Sequence, residues 1–181
     1  MQQAGQITFL GGFPQGIAFT PDGSRAFIAI SNGLVSVIDT AKIVQIATIA
    51  VGLNPLEVDP VDVAVTPDGK QLYVANVESQ SVSVFDAVTF TELPGSPIAF
   101  LASPFQIKPS RSGKLMFVLT VQASRRLYVI DTTTRTVVGS ATAGYEPVGL
   151  AVSPDGIRVY VMLRGDNLIC MYMPSATGGI G

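Results

Sequence analysis

The sequence predicts an all-β protein, a β-propeller of four four-stranded antiparallel blades with a strand near the N-terminus closing the last blade. Three observations carry this expectation. Short runs rich in β-branched and aromatic residues alternate with Pro/Gly turns. One turn pattern recurs, with its glycine at Gly23, Gly69, Gly113 and Gly156, spacings of 46, 44 and 43 residues. A period of about 40–45 residues with four strands per unit is that of a propeller blade.

The most regular unit runs from Val63 to Asp86. Val63-Ala64-Val65 is a β-prone run. Thr66-Pro67-Asp68-Gly69 suits a type I turn, because Pro67 presets φ and Gly69 accepts positive φ. Leu72-Tyr73-Val74-Ala75 makes the second strand of a hairpin, and Val82-Ser83-Val84-Phe85 a third strand ended by Asp86. These runs are too uniformly apolar for a sheet with one wet face and suit sheets covered on both.

The chain reads as one domain over 1–181, with blades at about 14–51, 58–101, 104–143 and 147–173. The third first-turn, Pro109-Ser110-Arg111-Ser112-Gly113, reads as two residues longer than its counterparts. The fourth blade lacks an outer strand, and residues 6–10 are the candidate for it. Gln6–Leu10 followed by Gly11-Gly12-Phe13-Pro14 parallels Ser140–Ala143 followed by Gly144-Tyr145-Glu146-Pro147. Closure by such a strand removes exposed edges. The same count fits a four-bladed ring closed within one chain, half of an eight-bladed ring made by a homodimer, or part of a longer protein.

The repeats resemble the YVTN family of β-propeller repeats. Tyr73-Val74-Ala75-Asn76 is close to the naming motif, and Thr66-Pro67-Asp68-Gly69-Lys70 precedes it as in that family. Val35-Ser36-Val37-Ile38-Asp39-Thr40 and Tyr128-Val129-Ile130-Asp131-Thr132 match its third strand. The resemblance implies a propeller fold and an extracellular or cell-surface setting like that of surface-layer-like proteins. It does not choose a function, since such repeats also occur in enzymes, lactonase-like propellers among them. The N-terminal residues have neither the basic start nor the apolar core of a signal peptide.

Composition narrows the chemistry. The chain is 48% hydrophobic and 13% charged, yet no apolar run approaches the length of a membrane span. A net charge of −2 argues against a nucleic-acid surface, which needs a clustered basic face. The absence of histidine removes the commonest general base and most zinc or haem ligation. Cys170 is the single cysteine and reads as a buried thiol in an apolar strand, with no internal disulfide.

Candidate ligand-binding residues fall on one end of the propeller, where the loops from strand four to strand one meet those from strand two to strand three. The Gly52–Asp62 loop carries Glu57, Asp59 and Asp62, and Glu146 stands at the matching approach to blade four. Such carboxylates suit acid/base work or a hard cation. Arg125 and Arg164 could clamp an anionic ligand. No ligand spacing accompanies these residues, so no catalytic residue, metal or cofactor is assigned. Arg164-Gly165-Asp166 spells an adhesion tripeptide, but three residues in a turn are weak ground. Gly11–Gly16 has the glycines of a phosphate loop without its lysine or helix. The expected role is a non-enzymatic binding or scaffold module for a protein or small molecule. The alternative is a propeller hydrolase or lyase working on a small metabolite through those carboxylates.

Overall fold

The computed structural model describes residues 5–8, 11–52 and 59–180. Among the described residues fifteen strands form four antiparallel sheets in sequence order. Blade one is β1 (Pro14–Phe19), β2 (Arg25–Ile30), β3 (Leu34–Asp39) and β4 (Val44–Ala50). Blade two is β5 (Pro60–Val65), β6 (Gln71–Asn76), β7 (Ser81–Asp86) and the short β8 (Ile98–Ala99). Blade three is β9 (Ser103–Pro109), β10 (Leu115–Val121), β11 (Arg126–Asp131) and β12 (Thr136–Thr142). Blade four is β13 (Pro147–Val152), β14 (Val159–Leu163) and β15 (Leu168–Tyr172). These are the blades of a β-propeller, and the first strands β1, β5, β9 and β13 lie side by side in that order.

The core lies between blades, as sheets apolar on both faces require. Phe27, Val35 and Val37 of blade one pack on Val63, Leu72 and Val74 of blade two. Tyr73, Val82 and Val84 meet Ile107, Met116 and Val118 of blade three. Phe117, Leu127 and Val129 meet Leu150, Val159 and Val161 of blade four.

The repeated first turn is held by one hydroxyl. Thr20, Thr66, Ser110 and Ser153 each accept the amide of the residue five positions on, at 3.1, 3.0, 3.1 and 2.9 Å. Gly23, Gly69, Gly113 and Gly156 donate back to the carbonyl of the same residue and sit at φ of 69° to 75°. The third turn is therefore the same length as the others. Ser110-Arg111-Ser112-Gly113 replaces Thr-Pro-Asp-Gly one for one, and Pro109 belongs to β9. Its displaced proline made it read as longer.

These turns also nest. A Cβ on Gly69 would meet Pro21 at 3.3 Å, one on Gly113 would meet Pro67 at 3.1 Å, and one on Gly156 would meet Arg111 at 2.9 Å. Each turn thus seats its second residue on the glycine of the next blade.

The closing strand expected at 6–10 lies partly outside the described residues. Gln6, Ile7 and Thr8 are described without strand structure, and Thr8 shares a recess with Ile30, Leu34, Ser36 and Thr48 of blade one. Blade four accordingly has three strands among the described residues. After β15 the chain turns back, and Ile180 packs at the junction of blades three and four.

Six turn aspartates are held below the usual carboxylate range by hydrogen bonds to their ionised form. Thr20, Thr66 and Ser153 hydroxyls do this for Asp22, which falls to about 2, Asp68 and Asp155. Amides of Lys42, Thr89 and Thr134 do it for Asp39, Asp86 and Asp131. In the unfolded chain these groups return toward 3.8, so the unfolded state takes up protons first as pH falls. Their contribution is present in full above that value and is lost as pH drops through the folded values. The thermal midpoint should therefore hold from neutral pH down to about pH 5 and fall steeply below about pH 4. Calorimetry across that range checks it, and a midpoint that rises on acidification would contradict it.

Candidate functional site at the loop end

Antiparallel blades put the fourth-to-first and second-to-third loops at one end. There the residue before each strand-one proline recurs as Phe13, Asp59, Ser103 and Glu146. In three blades its carbonyl is fixed by the neighbouring loop. Ser31, Val77 and Arg164 donate amides to Phe13, Asp59 and Glu146 at 3.0, 3.1 and 2.9 Å. Asp59 and Glu146 are therefore equivalent positions in blades two and four, both at positive φ, 39° and 49°.

Asp59 is half-buried, and burial followed by the nearby Glu78 carboxylate raises its pKa above the usual value. Its Oδ1 is buried without a hydrogen-bond partner among the described residues. Glu57 lies outside the described residues. Glu146 is committed to Arg164, whose Nε donates at 3.0 Å, in a pair open to water on both sides. Arg125 lies over the Tyr145 ring at 4.6 Å. Tyr145 in turn packs against Gly165 so closely that a Cβ there would meet its ring at 2.0 Å, and its amide donates to Asp166 at 2.7 Å. The structure thus brings Glu146, Arg125 and Arg164 to one junction, organised by Tyr145. Both charged members of the Arg164-Gly165-Asp166 tripeptide are engaged within the chain.

Asp62 belongs elsewhere. Its Oδ2 accepts the amide of Ile107 and the ammonium of Lys108, both at 3.0 Å, while Oδ1 accepts the amide of Val63. This carboxylate ties β5 to β9 at the channel. Gln106, at the matching position one blade on, does the same, its Oε1 accepting the amide of Leu150 at 2.6 Å. The sequence places Asp62 among the candidate ligand groups and does not single out Gln106. The signal was present, since each stands four residues before its turn hydroxyl, Thr66 or Ser110. Gly16 occupies that position in blade one, and a Cβ there would meet the Asp62 Cα at 2.6 Å.

Three large apolar side chains stand open at the loop end. Phe13 is 76% exposed, Leu101 82% and Tyr145 49%, each on a different fourth-to-first loop. Among the described residues no group of three or more His, Cys, Asp or Glu side chains is arranged to hold a metal. Cys170 is half-buried rather than fully enclosed.

Three solved structures give the class of fold. A chain of hydrazine synthase from Kuenenia stuttgartiensis superposes with a TM-score of 0.81 at 31% identity over 99% of this chain and 51% of that one. Candidate 6-phosphogluconolactonases from Bacteroides uniformis and Bacteroides fragilis superpose at 0.78 and 0.77, with 19% and 18% identity over 94% of this chain and 53% of each of theirs. The chain therefore spans about half the length of the solved chains it matches, and the two lactonase-like structures share its fold alone. No protein-family model matches the chain, and no curated protein matches it.

The clamp yields a stability prediction. Asp62→Ala leaves the fully buried Ile107 without its amide acceptor. It should lower unfolding free energy by about 1–3 kcal/mol, the cost of orphaning a buried donor. Glu146→Ala breaks only a solvated pair and should cost about 0–1 kcal/mol. Urea unfolding of the two variants checks the order, and equal losses would contradict it.

Proposed function

We propose that these blades act as a non-enzymatic binding and scaffold module that presents its loop end to a protein or ligand. The observation that carries this reading is the exposure of Phe13, Leu101 and Tyr145 at that one end. Exposed apolar side chains suit a binding surface, and at Tyr145 the polar groups Arg125 and Asp166 stand beside the ring. The carboxylates speak the same way. Asp62 is spent on holding blades together and Glu146 on Arg164. The likeness of the repeats to YVTN propeller repeats supports the reading and an extracellular or cell-surface setting. The half-length match to a hydrazine synthase chain supports these blades as half of a larger propeller.

The competing reading is a hydrolase or lyase that uses Asp59, whose raised carboxyl would suit a proton donor. Two measurements separate them. Peptides selected on the immobilised protein should lose affinity roughly tenfold or more when Phe13, Leu101 and Tyr145 are changed together to Ser, as truncated anchors do. Sugar lactones followed by pH-stat should open no faster than in buffer. Lactone turnover that Asp59→Asn abolishes would overturn the binding reading, as would peptides that ignore the triple change.

A further inference from the structure

A peptide nitrogen attacks the side chain before it most readily when that side chain is Asn or Asp and the nitrogen belongs to glycine, which puts no Cβ in the way. The chain has four such pairs: Asp22-Gly23, Asp68-Gly69, Asp155-Gly156 and Asn32-Gly33. The three aspartyl pairs are locked. Gly23, Gly69 and Gly156 each commit their amide to the carbonyl of the turn hydroxyl residue at 2.8 Å. The aspartates before them accept the amides of Ser24, Lys70 and Ile157 at 3.0, 3.0 and 2.9 Å. These bonds and those from the turn hydroxyls keep each carboxylate ionised, and an ionised carboxylate is a poor target for a nucleophile.

Asn32-Gly33 is built differently. With Ser31 it forms the connection from β2 to β3 at the loop end. In the matching connections of blades two and four the last residue, Gln80 or Asn167, donates its amide to Val77 or Arg164 at 3.3 Å. The Gly33 amide donates no hydrogen bond among the described residues, so an attack through its nitrogen breaks none. The Asn32 Oδ1 has no partner there either, so no bond through that oxygen holds the carboxamide in place. Asn32 is half-buried, within reach of water. The other asparagines are hindered by sequence. Asn76 and Asn167 precede the branched Val77 and Leu168, and Asn54 precedes Pro55, which has no amide proton to lose.

We propose that Asn32 is a modification site, where the chain deamidates spontaneously with Gly33 as the attacking group and water as the only co-reactant. The Gly33 nitrogen gives its proton to hydroxide and bonds to the Asn32 Cγ. Nδ2 leaves as ammonia with a proton from water, and a five-membered imide remains. Water then opens one of the two imide C–N bonds. Cleavage at Cγ gives aspartate, and cleavage at the original main-chain carbonyl gives an isoaspartyl link. Either product adds one negative charge, and the second adds a methylene to the main chain between β2 and β3. The change falls beneath the loop that carries Phe13. A Cβ on Gly12 would meet the Asn32 Cγ at 3.0 Å, and Ser31 exchanges two hydrogen bonds with Phe13. The site does not depend on the loop-end binding role, because the reaction needs no partner.

The test is tryptic mapping of the full chain held at mildly alkaline pH, folded and in urea. Cleavage after Arg25 and Lys42 leaves residues 26–42, in which Asn32 is the only amide side chain. In the folded chain this peptide should pass into aspartyl and isoaspartyl forms, the latter methylated by a protein isoaspartate methyltransferase. The peptides carrying Asp22, Asp68 and Asp155 should stay unchanged over the same time. Urea removes the turn bonds, so those three aspartates should then isomerise faster by roughly tenfold or more, while the rate at Asn32 moves by less than that factor. Asn32→Gln, which would have to close a six-membered ring, should gain no charge in that peptide. An Asn32 that converts in urea and not in the folded chain overturns the proposal, because the fold then protects it as it does the aspartates. Folded aspartyl turns that isomerise as fast as Asn32 converts overturn the selectivity argued from their bonds.

Discussion

A sheet that is apolar on both faces cannot be stable alone, and this constraint governs the whole molecule. Each blade must find one neighbour for each face. The packing of Phe27, Val35 and Val37 on Val63, Leu72 and Val74 is repeated at two further junctions with other side chains. Every other device in the structure positions those faces. The turn hydroxyls fix the hairpins, the nested glycines set the height of one blade on the next, and Asp62 and Gln106 fix the spacing at the channel.

Much of the fold was legible because the devices are local. Thr66-Pro67-Asp68-Gly69 and Val82-Ser83-Val84-Phe85-Asp86 each encode a turn or strand within a few residues, and their recurrence gives the blade count. Legibility failed where a device changed its chemistry. Ser110-Arg111-Ser112-Gly113 keeps the hydroxyl and the glycine but drops the proline and aspartate. A reading keyed to proline misjudged its length, whereas one keyed to the hydroxyl acceptor would not have.

The candidate site was less legible, since side chains of one type serve opposite ends. Asp59 and Asp62 are three residues apart and looked alike in sequence. One has a buried oxygen without a partner among the described residues and the other accepts three donors. Burial and partner geometry separate them, and neither is written in residue type. Tyr145 went unnoticed for the converse reason. Its importance lies in joining Arg125, Gly165 and Asp166, contacts made across two loops.

The variation at Gly16, Asp62 and Gln106 reaches beyond the bonds themselves. Where blade two meets blade three, a carboxylate fills the inner gap; where three meets four, a carboxamide does. Between blades one and two the gap is closed to where a single added carbon would strike backbone. One position per repeat thus fills the inner seam with a different group, and its size has to match the gap that the neighbouring first strand leaves.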